Sequence, residues 1–405
     1  MSGFKSYGED DFDRVFITDS EIYERFVGRG LWTWGTQAEG QLGDNSTTAR
    51  SSPGTVAGGG VNWAQISQGS GRQLNFSSGV LSQFAAIKTD GTLWTWGPNT
   101  SGQLGDNTTT NRSSPVTTSG GGTTWKQVAL GGDTGSFTGY TLAVKTDGTL
   151  WSWGRNISGQ LGTNNTTDRS SPGTTSGGGT NWKQASCGYA VSAAVKFDGT
   201  LWTWGTSSIG GLGASSTTSR SSPNTTAGGG TTWKQVAVSG RGGSAVAAVK
   251  TDGTLWTWGN NANGSLGDGS TTNRSSPGTV SGGGTNWKQV SMSILSGAVK
   301  TDGTLWMWGR NDNGGIGDGT TVERSSPVQI SGGGTTWKQV SCASFGAAAV
   351  KTDGTVWTWG LNTSGQLGDN TTTNRSSPIT PLIGAQNKWK SVTMGETAAI
   401  AIADT

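Results

Sequence analysis

Ala248-Val249-Lys250-Thr251-Asp252-Gly253-Thr254-Leu255-Trp256-Thr257-Trp258-Gly259 decides the fold, because of how it alternates and how often it recurs. A short apolar run ends at Lys250, and Asp252-Gly253 is a hairpin turn signal. Leu255 to Gly259 reads as the returning strand, where a period of two puts Trp256 and Trp258 on one face. The Leu-Trp-x-Trp-Gly box recurs at Trp32/Trp34, Trp94/Trp96, Trp151/Trp153, Trp202/Trp204, Trp306/Trp308 and Trp357/Trp359, with valine for leucine in the last. A third tryptophan follows a glycine-rich stretch in every unit: Trp63, Trp125, Trp182, Trp233, Trp287, Trp337 and Trp389. Together these positions account for all 21 tryptophans. The boxes are spaced 62, 57, 51, 54, 50 and 51 residues apart. A strand-rich period of about 50 residues means propeller blades or a solenoid.

One unit, residues 85–130, resolves into parts. Ala85 to Lys88 and Leu93 to Gly97 are strands flanking Asp90-Gly91. Arg112-Ser113-Ser114-Pro115-Val116 reads as an edge strand, the place where proline is tolerated. Gly120-Gly121-Gly122 turns the chain, and Trp125 to Ala129 is a fourth strand. Four strands in each of seven units predict an all-β, seven-bladed propeller. The last unit ends in an apolar strand, Thr397 to Ala403, with no box after it. The first unit opens on its box at Leu31 with no strand before it. Pairing these N- and C-terminal strands closes the ring, whereas a solenoid would want capping repeats. The expected organisation is an N-terminal arm, 1–30, with a short helix near Asp19–Val27, and a propeller, 31–405.

Composition excludes several classes. The hydrophobic fraction is 31%, but charge is also low, at 13%. A disordered chain would combine low hydrophobicity with high charge, and each buried indole supplies roughly 150–250 Å² of apolar area. No apolar run is long enough for a membrane helix, and the polar, acidic start does not read as a signal peptide. The net charge is +3, made of −3 on residues 1–30 and +6 on the ring. Because 19 of the 28 basic residues recur at fixed repeat positions, they read as dispersed around the ring, and no nucleic-acid partner is expected. Cys187 and Cys342 sit at one repeat position three units apart, too far for a disulfide, and read as small buried residues.

The run from Ala248 to Gly259, followed by Asn260, Gly264, Leu266 and Gly267, resembles the repeat of the regulator of chromosome condensation family. The resemblance covers about residues 28–405 and implies a seven-bladed propeller closed by shared strands. The family often has a His-Ser or His-Thr pair before the turn, and this chain has no histidine, so nucleotide-exchange activity does not carry over. The near-identical Thr/Asn/Gly repeats also resemble propeller proteins encoded by phages of marine cyanobacteria.

No catalytic constellation is visible. Without histidine, serine and cysteine lack their commonest base; 11 of the 25 acids occupy symmetric turns, seven lie in the arm, and the other seven form no motif. The oxygen-rich loops after Leu-Gly, such as Asn311 to Gly314 and Asp268-Gly269, are explained by turn chemistry, so neither metal nor cofactor is expected. The candidate site lies instead where the repeat breaks. Between the third tryptophan and the lysine before the turn, units one, two and four carry 25, 20 and 17 residues against the usual 13 or 14. These enlarged connections hold Arg72, Leu74, Phe76, Phe137, Tyr140 and Arg241, types enriched in binding hot spots. In the arm, Ile22, Tyr23, Phe26 and Val27 form an apolar set for docking on the ring or on a partner. The functional expectation is a non-enzymatic phage virion protein (tail, baseplate, fibre or capsid decoration), made in the host cytoplasm. Its partners would be other virion proteins through the arm, and a host surface protein or glycan. The alternatives are an intracellular or host-directed protein-binding propeller, of inhibitor or exchange-factor type, and a lectin.

Overall fold

A computed structural model describes residues 30–404 apart from 38, 59, 70–82, 121, 133–137, 178, 241–243 and 383–387. The chain forms seven four-stranded antiparallel sheets arranged as the blades of a propeller. In the first blade the order from the axis outward is Trp63–Gln68, Phe84–Lys88, Leu93–Gly97 and Arg112–Thr117. The Arg-Ser-Ser-Pro strand is the outermost in every blade, so proline sits where no further ladder bond is needed. The seven innermost strands contact one another in an unbroken circuit around the axis. The last blade is completed from both chain ends: Leu31 to Gly35 pairs antiparallel with Ala398 to Ile402.

Two sets of contacts hold the blades in register. The second tryptophan of each box is buried, and its indole N–H donates to a carbonyl in the Leu-Gly loop of the preceding blade, as from Trp258 to Gly211 at 3.1 Å and Trp34 to Gln366 at 2.8 Å. The loop glycine is required there: Gly213 has φ +62°, and a Cβ on it would lie 2.6 Å from the Trp258 nitrogen. Nearer the axis, a glutamine reaches across each joint. Gln235 Nε2 donates to Val290 O at 2.9 Å, and its Oε1 accepts from Val290 N at 3.0 Å. Gln65, Gln127, Gln184, Gln289 and Gln339 repeat the contact to the next inner strand. Ser391 takes this position in the closing blade, where Gln68 instead donates to Ala398 O at 3.0 Å.

The tryptophans are not uniformly buried. Trp94, Trp151, Trp202, Trp256, Trp306 and Trp357, the first of the box in six blades, are half-exposed. A lysine closes each one. Lys250 Nζ lies 4.2 Å from the Trp256 ring centre and 4.8 Å from that of Trp233. Lys88, Lys145, Lys196, Lys300 and Lys351 stand between equivalent pairs. These lysines are therefore packed on indoles by cation–π contact and are not freely solvated strand ends. Ala403 holds the position in the closing blade, where Trp32 and Trp389 meet edge to face at 6.4 Å.

Candidate functional site

Antiparallel pairing brings the two lysine positions of the repeat to the same end of the blades. Lys88 precedes the Asp90-Gly91 turn, and its strand runs against the one that starts at Trp63, with Trp63 opposite Lys88. The residue after each inner-strand tryptophan thus emerges on the face that carries the Asp-Gly turns. In six blades that residue is lysine: Lys126, Lys183, Lys234, Lys288, Lys338 and Lys390. The first five are exposed and surround the axis where the inner strands begin. With Lys388 and the six stacked lysines, all 13 lysines of the ring lie on one face.

Carboxylates do not neutralise this face. It carries six turn aspartates, and the last strand ends there at Asp404, so the sequence count at this end of the blades is 13 lysines against seven acids, an excess of six positive charges. The turn aspartates are engaged locally. Asp90 accepts from the backbone N–H of Thr92 at 2.9 Å and from its hydroxyl at 2.7 Å, and these bonds hold the carboxyl below the usual range. The same hydroxyl accepts from Trp94 Nε1 at 3.0 Å, tying the turn to the half-exposed indole. Among the described residues no lysine forms an ion pair. Phe197, 57% exposed, adds an apolar element beside Lys126, whose Nζ lies 4.9 Å from the ring centre.

The opposite face is built from arginine. Nine arginines and ten carboxylates lie there among the described residues, and seven of the arginines are paired. Arg324 donates from Nε and Nη2 to Asp318 at 3.1 and 2.8 Å, while Thr320 donates to the other carboxylate oxygen. Partial burial opposes ionisation of Asp318, but the bonds from Thr320 and Arg324 prevail and its carboxyl sits below the usual range. In blades two and three, Thr163 and Ala214 replace the aspartate, and Arg169 and Arg220 make no ion pair among the described residues. The Leu-Gly loops therefore already use their carboxylate oxygens on hydroxyls, amides and guanidinium groups. No cluster of three metal-ligating side chains occurs among the described residues.

Between the faces runs the axial cavity, about 170 Å³, lined by Ser67, Ser291, Ser341, Cys187, Cys342 and Glu396 among others. Ser344 donates to Glu396 from its backbone N–H at 3.1 Å and also from its hydroxyl. Both cysteines are buried, as the sequence suggests, and burial pushes the Cys342 thiol up to about 12 and the Cys187 thiol higher still. Neutral, buried thiols are poor nucleophiles.

The residues singled out in the sequence fall into two groups. Arg72, Leu74, Phe76, Phe137 and Arg241 lie outside the described residues, as do Ile22, Tyr23, Phe26 and Val27. The strand ends that flank the first five in sequence, Gln68 and Phe84, Gly132 and Gly139, and Val238 and Ala245, stand on the arginine face. Tyr140 corrects its expected role as a loop contact. It is fully buried in the strand Gly139–Lys145, and its hydroxyl donates to Val191 O at 2.6 Å in the next blade. The insertion in that unit lengthens both strands of the hairpin, so Tyr140 is drawn into the core.

The model of the RCC1-like domain family matches residues 77–401, most of the chain. The chain belongs to the RCC1-like domain family. Over 241 residues, 58% of its length, this RCC1-like propeller is 31% identical to the ultraviolet-B receptor UVR8 of Arabidopsis thaliana, and that match spans 50% of the receptor. Its fold is that of human WBSCR16, with TM-score 0.74, 20% identity and coverage of 93% of this chain and 99% of the other. Prp20p of Saccharomyces cerevisiae has TM-score 0.76, 17% identity and coverage of 96% and 95%; its structure was described with its binding properties to Gsp1p and histones. Sequence reading missed the lysine face, although a signal was present. Every lysine of the ring adjoins either an Asp-Gly turn or an inner-strand tryptophan, and hairpin pairing places both at one end of the blade.

Proposed function

We propose that this chain is a non-enzymatic, protein-binding propeller whose lysine face engages an acidic segment of a partner. One observation carries the reading: an excess of six positive charges stands on a face whose lysines form no ion pair among the described residues. Unpaired charge concentrated on one surface steers an oppositely charged partner and fixes its orientation. Exposed Phe197 offers an apolar contact within that field. The fold is one that also serves Prp20p, a protein described as binding Gsp1p and histones. The virion reading draws no support from the fold or the relatives. The test is binding of fluorescently labelled poly-L-glutamate to the full chain and to the K183E/K234E/K288E variant. Saturable binding that weakens with salt, and weakens at least about tenfold in the variant, is the expected result. Equal binding by the two chains would overturn the assignment of this face.

A further inference from the structure

The chain enters the ring on the lysine face. Leu31, the first residue of its strand, pairs with Ile402, and Ala403 N donates to Gly30 O at 3.2 Å. This is the same edge at which Lys388 stands opposite Asp404 in register. Residues 1–29 are thus tethered beside the basic surface. They carry seven acids against four bases, and Glu9, Asp10, Asp11 and Asp13 form a run with no base among them. The strand Leu31–Gly35 is third from the axis in its blade, so its start lies two strand spacings, about 10 Å, from the innermost strand.

We propose that the acidic run Glu9–Asp13 docks across the lysines around the axis (Lys126, Lys183, Lys234, Lys288, Lys338 and Lys390), so that an acidic partner must displace it. This rests on the reading of the lysine face as a surface for acidic segments. Reach is sufficient: Asp13 and Glu9 precede Gly30 by 17 and 21 residues, a coil span of about 20–27 Å. The tether holds the run at an effective concentration on the order of millimolar, above that of any free acidic chain present at micromolar levels. The turn aspartates form no ion pair with these lysines among the described residues; each is bonded to the threonine two residues on and faces the stacked lysine of its own hairpin. The lysines themselves sit on a rigid scaffold. Lys338 Nζ donates to Lys390 O at 3.4 Å, so neighbouring positions of the ring are in contact across a joint. Individual exposed pairs are weak and screened by salt, which makes the docked state displaceable.

Carbodiimide cross-linking of the full chain at low ionic strength, read by mass spectrometry, tests the contact. The expected products join Glu9, Asp10, Asp11 or Asp13 to the axial lysines, in yield independent of protein concentration and suppressed in molar salt. Poly-L-glutamate binding supplies an independent arm. Full-length E9Q/D10N/D11N/D13N should bind it at least about fivefold more tightly than the native chain, because the tethered competitor is gone. Equal affinity of these two chains overturns the docking while leaving the lysine face intact as a binding surface. Links that form only between molecules, rising with concentration, overturn it as well. Loss of the lysine-face reading is a separate result, equal binding by the native chain and K183E/K234E/K288E.

Discussion

The two faces of the propeller carry similar numbers of basic residues and use them in opposite ways. On one face arginines are fixed by carboxylates, seven pairs between 2.6 and 3.1 Å. On the other, lysines either lie on indoles or project into solvent, and none is ion-paired among the described residues. The difference follows from the side chains. A planar guanidinium can give two N–H bonds to one carboxylate oxygen while a threonine takes the other, as Arg324 and Thr320 do on Asp318, and so holds a loop in place. An ammonium on a flexible stem stacks or stays hydrated and remains available. The arginine face therefore spends its charge on structure, and the lysine face keeps its charge for contact with something else.

The largest expected effect tests the structural side of that contrast. D318A removes the carboxylate that holds Arg324 and Thr320. It should lower stability by about 1–2 kcal/mol, the size of one charge-assisted network discounted for the partly exposed arginine, as measured by denaturant unfolding. The same pairs predict acid sensitivity. Asp106, Asp318 and Asp369 have carboxyls held below their ordinary value of 3.8. Their contribution is fully present above that value and is lost as pH falls through the lower folded values. Melting temperature should therefore drop on acidification below about pH 4, and less steeply in D318A.

On the lysine face the stacked and the exposed positions should separate. K250A removes a cation from between Trp233 and Trp256 and should cost about 1 kcal/mol. K250M, which keeps the stem, should recover part of that loss. A smaller change of opposite sign is expected on the arginine face. A214D supplies the carboxylate missing opposite Arg220 and should add up to about 1 kcal/mol; no gain would show that loop geometry in the third blade differs from its neighbours. The smallest stability effect belongs to K183A/K234A/K288A, within about 0.5 kcal/mol of native for each site. A large loss of stability there would break the comparison, since these lysines would then be structural.

The joints between blades were only partly legible. Strand positions, the Asp-Gly turns and the closing pair followed from period and turn chemistry, because those depend on neighbours in sequence. That the second box tryptophan would donate to the preceding blade, or that Gln235 would clasp the inner strand at Val290, could not be read from one repeat. Both contacts join residues about one period apart and exist only once the ring has set the blade angle. Tyr140 shows the same limit: its type suggested a surface contact, and two extra ladder pairs turned it inward.

By itself the sequence determined the blade, the number of blades and their closure, since repetition and alternation act locally and each strand needs an antiparallel neighbour. It also determined which residues are charged, and by symmetry it made them look evenly spread. Only the tertiary structure decided where that charge points. Antiparallel pairing puts the start of each inner strand beside the end of the next, so a pattern that alternates along the chain is sorted by face, with lysine on one side and arginine on the other.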